Sequence, residues 1–292
     1  MYVVTLLCDP ATPRLEHSRL DALQAHWKGG DIIWLAPGRA AEFQLSNPPI
    51  DLAEIAGQQR SEGFDLVFQP AEGRRKKMLL ADMDSTMIQQ ECVDELAEFA
   101  GVGAQVREIT ARAMNGELDF EAALTERVGL LAGLPVEIID QVYAEKISFT
   151  PGGPELIATM AAQGGYAALV SGGFTSFTRK VAAGLGFDET RANTLIDANG
   201  RLTGEVGRPI LGRAAKVEAL EEITARLGIA PDDVMAVGDG ANDLGMLDSA
   251  GAGVALHAKP AVAAQAQIRI DHGDLTALLY IQGYSQADFV TE

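Results

Sequence analysis

Met78-Leu79-Leu80-Ala81-Asp82-Met83-Asp84-Ser85-Thr86 is the stretch on which the reading of this chain turns. Its first four residues form a short apolar, strand-like run, and two carboxylates follow at spacing i, i+2. Leaving an extended segment at that spacing, Asp82 and Asp84 project toward the same side. Such a pair can divide labour, one carboxylate as nucleophile and the other as proton carrier. A solvated turn or a helix cap uses the same residue types. The weight of the motif therefore comes from what lies downstream.

Three later segments each supply a part that phosphoryl transfer needs. Ser171-Gly172-Gly173-Phe174 follows the apolar run Tyr166-Ala167-Ala168-Leu169-Val170 and opens a helical pattern from Phe174 to Ala183. Glycines at a strand-to-helix junction let backbone N–H groups approach an anion, and the Ser171 hydroxyl adds a donor. Lys216 sits in the first turn of an amphipathic pattern ending near Gly228, where a cation opposes the helix dipole and gains nothing locally. Gly238-Asp239-Gly240-Ala241-Asn242-Asp243 follows the strand-like Asp233-Val234-Met235-Ala236-Val237. Acids just past a buried parallel strand lie where open α/β sheets put their ligands, and clustered oxygen donors suit Mg²⁺. Asn242 also reads as a cap for the next helix.

Taken together and in this order, the four segments resemble the haloacid dehalogenase (HAD) superfamily of aspartate-nucleophile phosphatases, over about residues 78 to 285 and without departure from its motifs. The resemblance implies an α/β fold with a HAD-like Rossmannoid core and an inserted helical cap. It implies Asp82 as nucleophile, Asp84 as proton donor and then base, and Lys216, Ser171 and Gly172 on the phosphate. Mg²⁺ would be held by Asp82, Asp239 and the main-chain carbonyl of Asp84. Asp243 would orient Lys216 behind those ligands, and Asn242 would face the phosphate or the hydrolytic water. Within the superfamily the chain is most similar to the enzymes that hydrolyse O-phospho-L-serine to L-serine and phosphate, the last step of L-serine formation. That match places Glu91 against the substrate ammonium, Arg127 against its carboxylate, and Met114 and Phe120 as apolar shields.

Charge arithmetic supports a metal. Asp82, Asp84, Asp239, Asp243 and Glu91 against only Lys216 and Arg127 would repel a phosphate dianion, each like pair at 4 Å costing about 4 kcal/mol at an effective dielectric near 20. Two other readings stay open. One is a HAD phosphatase for a different small phosphomonoester. The other is a receiver-type phosphoaccepting module, against which count Asp84 and the inserted helical block.

The chain has 292 residues, long for one core, with 47% hydrophobic and 22% charged residues. A net charge of −18 argues against nucleic-acid binding. The run Arg74-Arg75-Lys76-Lys77 reads as a solvated linker. Cys8 and Cys92 lack metal-type spacing and read as small apolar residues in a reducing, cytoplasmic setting. No transmembrane span or signal peptide is expected.

Three blocks follow along the chain. Residues 1–75 show the order β-α-β-β-α-β, a ferredoxin-like α+β arrangement; by the resemblance this is an ACT-like regulatory domain, with structural, dimerising and amino-acid-sensing roles all open and a homodimer compatible with it. Residues 88–148 are helical by pattern, with stripes Cys92, Val93, Leu96, Phe99, Ala100 and Phe120, Leu124, Val128, Leu131, and with Asp119 as an N-cap. Residues 76–87 and 149–292 alternate strands and helices as the core. Asn199-Gly200 is a two-residue hairpin signal between Asn193–Asp197 and Arg201–Val206.

Overall fold

The structure is a computed structural model that describes residues 1–114 and 117–291, with Met114 described by its backbone alone. Its first block follows the expected order: β1 (Tyr2–Cys8), α1 (His17–Trp27), β2 (Ile33–Ala36), β3 (Ala40–Leu45), α2 (Leu52–Ser61) and β4 (Phe64–Pro70). The four strands form an antiparallel sheet in the order β2-β3-β1-β4. β1 is apolar on both faces because both are covered. Val4, Leu6 and Cys8 pack with Leu20 and Leu23 of α1. Leu7, with Leu35, Ala40 and Val67, joins the core of the rest of the molecule.

After β5 (Met78–Ala81) come four helices, α3 (Cys92–Phe99), α4 (Gly103–Met114), α5 (Phe120–Gly129) and α6 (Ile138–Lys146). Cys92, Leu96, Leu124, Val128 and Leu131 are buried as the two stripes require, and Asp119 caps α5 by accepting from the Ala122 N–H at 2.7 Å. The segment leaves and returns through one antiparallel bridge, Ile88 to Phe149, backed by the Gln89 N–H to Ser148 carbonyl bond at 3.0 Å.

The chain then alternates: α7 (Gly153–Ala162), β6 (Tyr166–Phe174), α8 (Thr175–Leu185), β7 (Glu189–Asn193), a hairpin of β8 (Leu195–Ala198) and β9 (Arg201–Val206), α9 (Arg213–Leu227), β10 (Val234–Gly238), α10 (Leu244–Ser249), β11 (Ala252–Leu256), α11 (Pro260–Ala263), β12 (Ile268–Ile270) and α12 (Ala277–Ile281). Six strands build one parallel sheet in the order β12-β11-β10-β5-β6-β7. β5 pairs with β6 on one side and β10 on the other. The order of the sheet reverses there, and such a reversal opens a crevice at the carboxyl ends of the strands. The three motif-bearing loops leave β5, β6 and β10, so strand order alone brings them side by side.

Several expectations need correction. β6 does not stop at Val170; it runs to Phe174 through an irregular pairing with β7, because Ser171 and the glycines stay extended. The expected strand at Asn193–Asp197 divides, Asn193 ending β7 in the main sheet and Leu195 starting the hairpin. That hairpin turns where expected, with Asn199 (φ 54°) and Gly200 (φ 74°) both left-handed. It also braces the α5–α6 connection, through Gly133 N–H to Leu202 O at 2.8 Å and Leu202 N–H to Leu134 O at 2.9 Å.

The basic run is no solvated linker. Arg74 grips the buried Glu42 with two bonds of 2.6 and 2.8 Å. Arg75 lies over the Tyr284 ring, and Lys76 donates to the Asp232 carbonyl at 2.7 Å. A second tie is stronger. The buried carboxylate of Asp65 on β4 accepts three successive backbone N–H groups, Asp271, His272 and Gly273, at 2.9, 2.9 and 2.8 Å. Asp65→Ala would orphan these donors, and we expect a loss of about 3 kcal/mol or more in urea unfolding, with faster proteolysis between β4 and β5.

Candidate active site

Asp82 ends β5, its N–H bonding the Val237 carbonyl of β10 at 3.0 Å, so the strand pairing fixes where its side chain emerges. The chain then makes a wide turn over residues 83–87 in which Ser85 takes a left-handed conformation (φ 55°). That conformation costs a non-glycine residue about 1 kcal/mol. Ser85 is held there by two bonds: its N–H donates to Gln90 O at 3.2 Å and its hydroxyl to Glu91 Oε1 at 2.8 Å. The turn thereby sets Asp84 and Glu91 on the same side as Asp82.

Lys216 is the electrostatic centre. It is 2% exposed, with Nζ 2.7 Å from Asp82 Oδ1 and 2.5 Å from Asp243 Oδ1. Burial alone would lower its pKa, but the two carboxylates outweigh that and raise it. Asp243 also accepts the Gly240 N–H at 2.9 Å through its other oxygen. Gly238 is needed for this packing, since a Cβ there would fall 2.4 Å from the Asp243 carboxyl carbon.

Carboxylate oxygens of Asp82, Asp239 and Asp243 lie within 4.8 Å of one another. Asp82 Oδ1 is buried without a directed hydrogen bond, despite the nearby Lys216. Burial, followed by the charge of Asp82, pushes Asp239 and Asp243 upward, while Lys216 opposes this for both. An all-oxygen donor set with a surplus of negative charge fits a hard divalent cation.

Asp84 is raised well above the usual carboxylate range, first by burial and then by Glu91 and Asp82. Its Oδ1 has no hydrogen-bond partner among the described residues, and Gly173 leaves room for Oδ2, a Cβ there meeting it at 3.0 Å. The neighbouring thiol of Cys92 touches this carboxyl and is itself pushed up by burial and by Asp84. Cys92 was expected only as core filler.

Ser171 is buried at the end of β6, its hydroxyl accepting the Gly173 N–H at 2.9 Å. Phe120 departs from its expected stripe. It is 37% exposed and its ring lies over the phosphate-loop candidate, 3.1 Å from where a Gly172 Cβ would sit. A bulky apolar residue at the first turn of α5 serves the mouth of the site and not the core of the segment. The Met114 side chain lies outside the described residues. Asn242 is half-buried beside Gly240 and does not cap α10, which starts at Leu244.

Glu91 and Arg127 stand over this centre. Burial raises Glu91, with Asp239 and Asp82 adding to it against the Ser85 bond. Burial lowers Arg127, while Asp94, Glu91 and Asp84 act in the opposite sense. No carboxylate reaches within ion-pair distance of the Arg127 guanidinium among the described residues; Nε donates to Ala123 O at 3.2 Å.

One positioning residue escaped the sequence reading. Asn193, 2% exposed at the end of β7, donates to Gly172 O (2.8 Å) and Leu211 O (3.2 Å) and accepts from the Leu211 N–H (2.7 Å). It ties the Ser171–Gly173 segment to the approach of the Lys216 helix. A single buried Asn between two strands carries no local signal of such a role.

A parallel sheet reversed at β5, with acids and one buried lysine at its carboxyl edge, defines a Rossmann-like α/β fold with an aspartate-centred site. The chain belongs to the haloacid dehalogenase-like hydrolases, whose sequence profile matches residues 79–248. It is 44% identical over 224 residues to a phosphoserine phosphatase of Archaeoglobus fulgidus, covering 75% of this chain and 65% of that protein. The chain thus spans just under two thirds of the length of that relative. Among solved structures, a HAD-family hydrolase from Salmonella enterica serovar Typhi superposes with a TM-score of 0.87 at 30% identity, covering 97% and 99% of the two chains. A phosphoserine phosphatase solved as a phospho-aspartyl intermediate analogue matches at 42% identity and TM-score 0.66, over 70% of this chain and 98% of its own.

Gly238→Ala should displace Asp243 from Lys216 and lower stability by about 1–3 kcal/mol, the usual cost of forcing bulk into a packed site. Urea unfolding of the two proteins measures it.

Proposed function

We propose that this chain hydrolyses O-phospho-L-serine to L-serine and phosphate through a phosphoester on Asp82. The observation that carries the reading is Arg127, half-buried with no carboxylate in ion-pair reach among the described residues, yet near enough to feel the charges of Glu91 and Asp84. A phosphate needs neither Arg127 nor Glu91. A substrate with a carboxylate and an ammonium beside its phosphate satisfies both, the carboxylate through two guanidinium N–H donors. The relatives named phosphoserine phosphatase support the same substrate.

In this mechanism an Asp82 oxygen attacks phosphorus in line with the serine oxygen, and the P–O bond to serine breaks as the new P–O bond forms. Asp84, its carboxyl pushed well above the usual carboxylate range by burial and then by Glu91 and Asp82, donates its proton to the departing serine oxygen. The resulting carboxylate then takes a proton from the water that cleaves the Asp82 ester. Lys216 and the donors of Ser171 and Gly172 offset charge on the transferring group. Asp82, Asp239 and the Asp84 carbonyl would hold Mg²⁺, which would supply the positive charge that lets a dianion enter. Asp243 holds the Lys216 ammonium in place, Asn242 would face the phosphate, and Phe120 would shield the cleft from water.

The remaining assignments belong to the same proposal. Residues 76–87 and 149–292 are the catalytic core, 88–148 the cap, and 1–75 an ACT-like domain. The βαββαβ order and antiparallel β2-β3-β1-β4 sheet of that last block support the assignment.

Phosphate release over a panel of phosphomonoesters, with and without EDTA, tests the reading. Arg127→Ala should lose at least about tenfold in kcat/KM on phosphoserine, the scale of a lost charge-assisted pair, yet little on p-nitrophenyl phosphate; an equal loss on both refutes the substrate assignment. Asp84→Asn should slow turnover by about 10²–10⁴-fold, and a loss below tenfold removes Asp84 from acid–base work.

A further inference from the structure

The β8–β9 hairpin grows out of the main sheet and ends on the helical segment. Its base is pinched shut by the Gly207 N–H to Thr194 O bond at 2.7 Å, one residue past the end of β7. Its tip lies along the α5–α6 connection. Besides the pairing of Leu202 with Gly133 and Leu134, Val136 N–H reaches Gly200 O at 3.0 Å, and the Arg201 guanidinium reaches Gly133 O at 2.6 Å. Gly204, left-handed at φ 84°, rests on the end of α5, where a Cβ would meet Ala132 Cβ at 2.9 Å and Gly129 O at 3.3 Å. That helix carries Phe120 and Arg127.

Asn193 stands buried at the foot of this hairpin. Both ends of its amide are engaged. Nδ2 donates to Gly172 O at 2.8 Å and to Leu211 O at 3.2 Å, while Oδ1 accepts the Leu211 N–H at 2.7 Å. The Gly172–Gly173 peptide is thereby held at both ends, its carbonyl by Asn193 and its N–H by the Ser171 oxygen at 2.9 Å. Because that oxygen accepts from Gly173, the Ser171 hydroxyl hydrogen turns away and is free to donate. Leu211 lies two residues before α9 begins at Arg213, so the same amide also sets the entry of the helix bearing Lys216. Phe120 touches both of the joined loops, its ring 3.1 Å from where a Cβ would sit on Gly172 and 3.5 Å from one on Gly212.

We propose that Asn193 is the positioning residue through which the helical segment sets the phosphate donors. A substrate held by Arg127 at one end and by Ser171, Gly172 and Lys216 at the other needs the two grips in fixed relation, so this role rests on the function proposed above. The hairpin supplies that relation as a chain of bonds. It runs from the end of α5 to Gly204 and Leu202, down the two strands to Thr194 and Gly207, and through Asn193 to Gly172 and Leu211. Donors slightly out of place stabilise the shifting charge of the transferring group less, while ground-state binding changes little.

Asn193→Asp keeps the shape and the Leu211 N–H bond but points an oxygen at two carbonyls, and Asn193→Ala removes the amide without adding charge. Well below the melting temperature, both should lower kcat by at least about tenfold on phosphoserine and on p-nitrophenyl phosphate, with KM moved less than about threefold. A residue that only stabilises the fold would lower the melting temperature and leave kcat intact. In the Asn193→Ala background, adding Arg127→Ala should cost less than about threefold in kcat/KM on phosphoserine, against at least about tenfold in the unaltered chain. Hydrogen exchange on the unaltered chain needs no variant: inorganic phosphate with Mg²⁺ should slow the amides of Gly133 and Leu202 as well as that of Leu211. Unchanged kcat in Asn193→Asp, a loss confined to KM, losses at Asn193 and Arg127 that multiply, or slowing at Leu211 alone would overturn the role. An Arg127→Ala loss equal on both esters refutes the phosphoserine assignment alone; kcat on p-nitrophenyl phosphate and exchange at Gly133 still decide the role of Asn193.

Discussion

The buried ammonium of Lys216 between Asp82 and Asp243 is the contact on which the rest of the molecule depends. A lysine 2% exposed could not stay charged without two carboxylates at 2.7 and 2.5 Å. Those carboxylates, in turn, could not be desolvated together without a cation. Each partner comes from a different strand or helix: Asp82 from the end of β5, Asp243 from the loop after β10, Lys216 from the first turn of α9. The cluster therefore locks three loops in one geometry, and the glycines around it are there to admit it. Gly238 makes room for Asp243, and Gly173 makes room for Asp84.

A single lysine does not balance the acids that converge on it. Asp84, Asp239, Asp243 and Glu91 are all shifted upward, with burial the leading cause for each. Negative charge in excess of local compensation is what one expects where a divalent cation belongs, and it also pushes the Asp84 carboxyl upward. One imbalance thus underlies both the fit to a divalent cation and the upward shift of Asp84. The helical segment adds a half-buried Arg127 that forms no side-chain ion pair among the described residues.

The amino-terminal block is joined to the core by interactions that resemble those of a protein interior. Its sheet buries one face on α1 and α2 and shares the other with the main hydrophobic core. Asp65 then fixes the register of the two parts with three charge-assisted bonds to its buried carboxylate. A shift of β4 bears directly on the loop after β12, because Asp65 bonds the backbone of residues 271–273.

Much of the site was legible from the chain alone, and the reason is local. A short apolar run followed by acids or glycines marks the carboxyl end of a parallel strand, so Asp82, Ser171 and Asp239 were identifiable from their immediate neighbours. Lys216 was singled out by its place among four segments that together resemble the superfamily, since a lysine in a first helical turn is by itself a weak signal. What only the tertiary structure decided depends on partners distant in sequence. Asn193 gains its role from Gly172 and Leu211, Phe120 leaves its stripe because the glycines of β6 lie beneath it, and Arg74 ceases to be linker because Glu42 is buried opposite. Strand ends and turn chemistry are properties of consecutive residues. Burial and pairing are properties of the assembled fold, in which a residue's energy is set by neighbours that no local window contains.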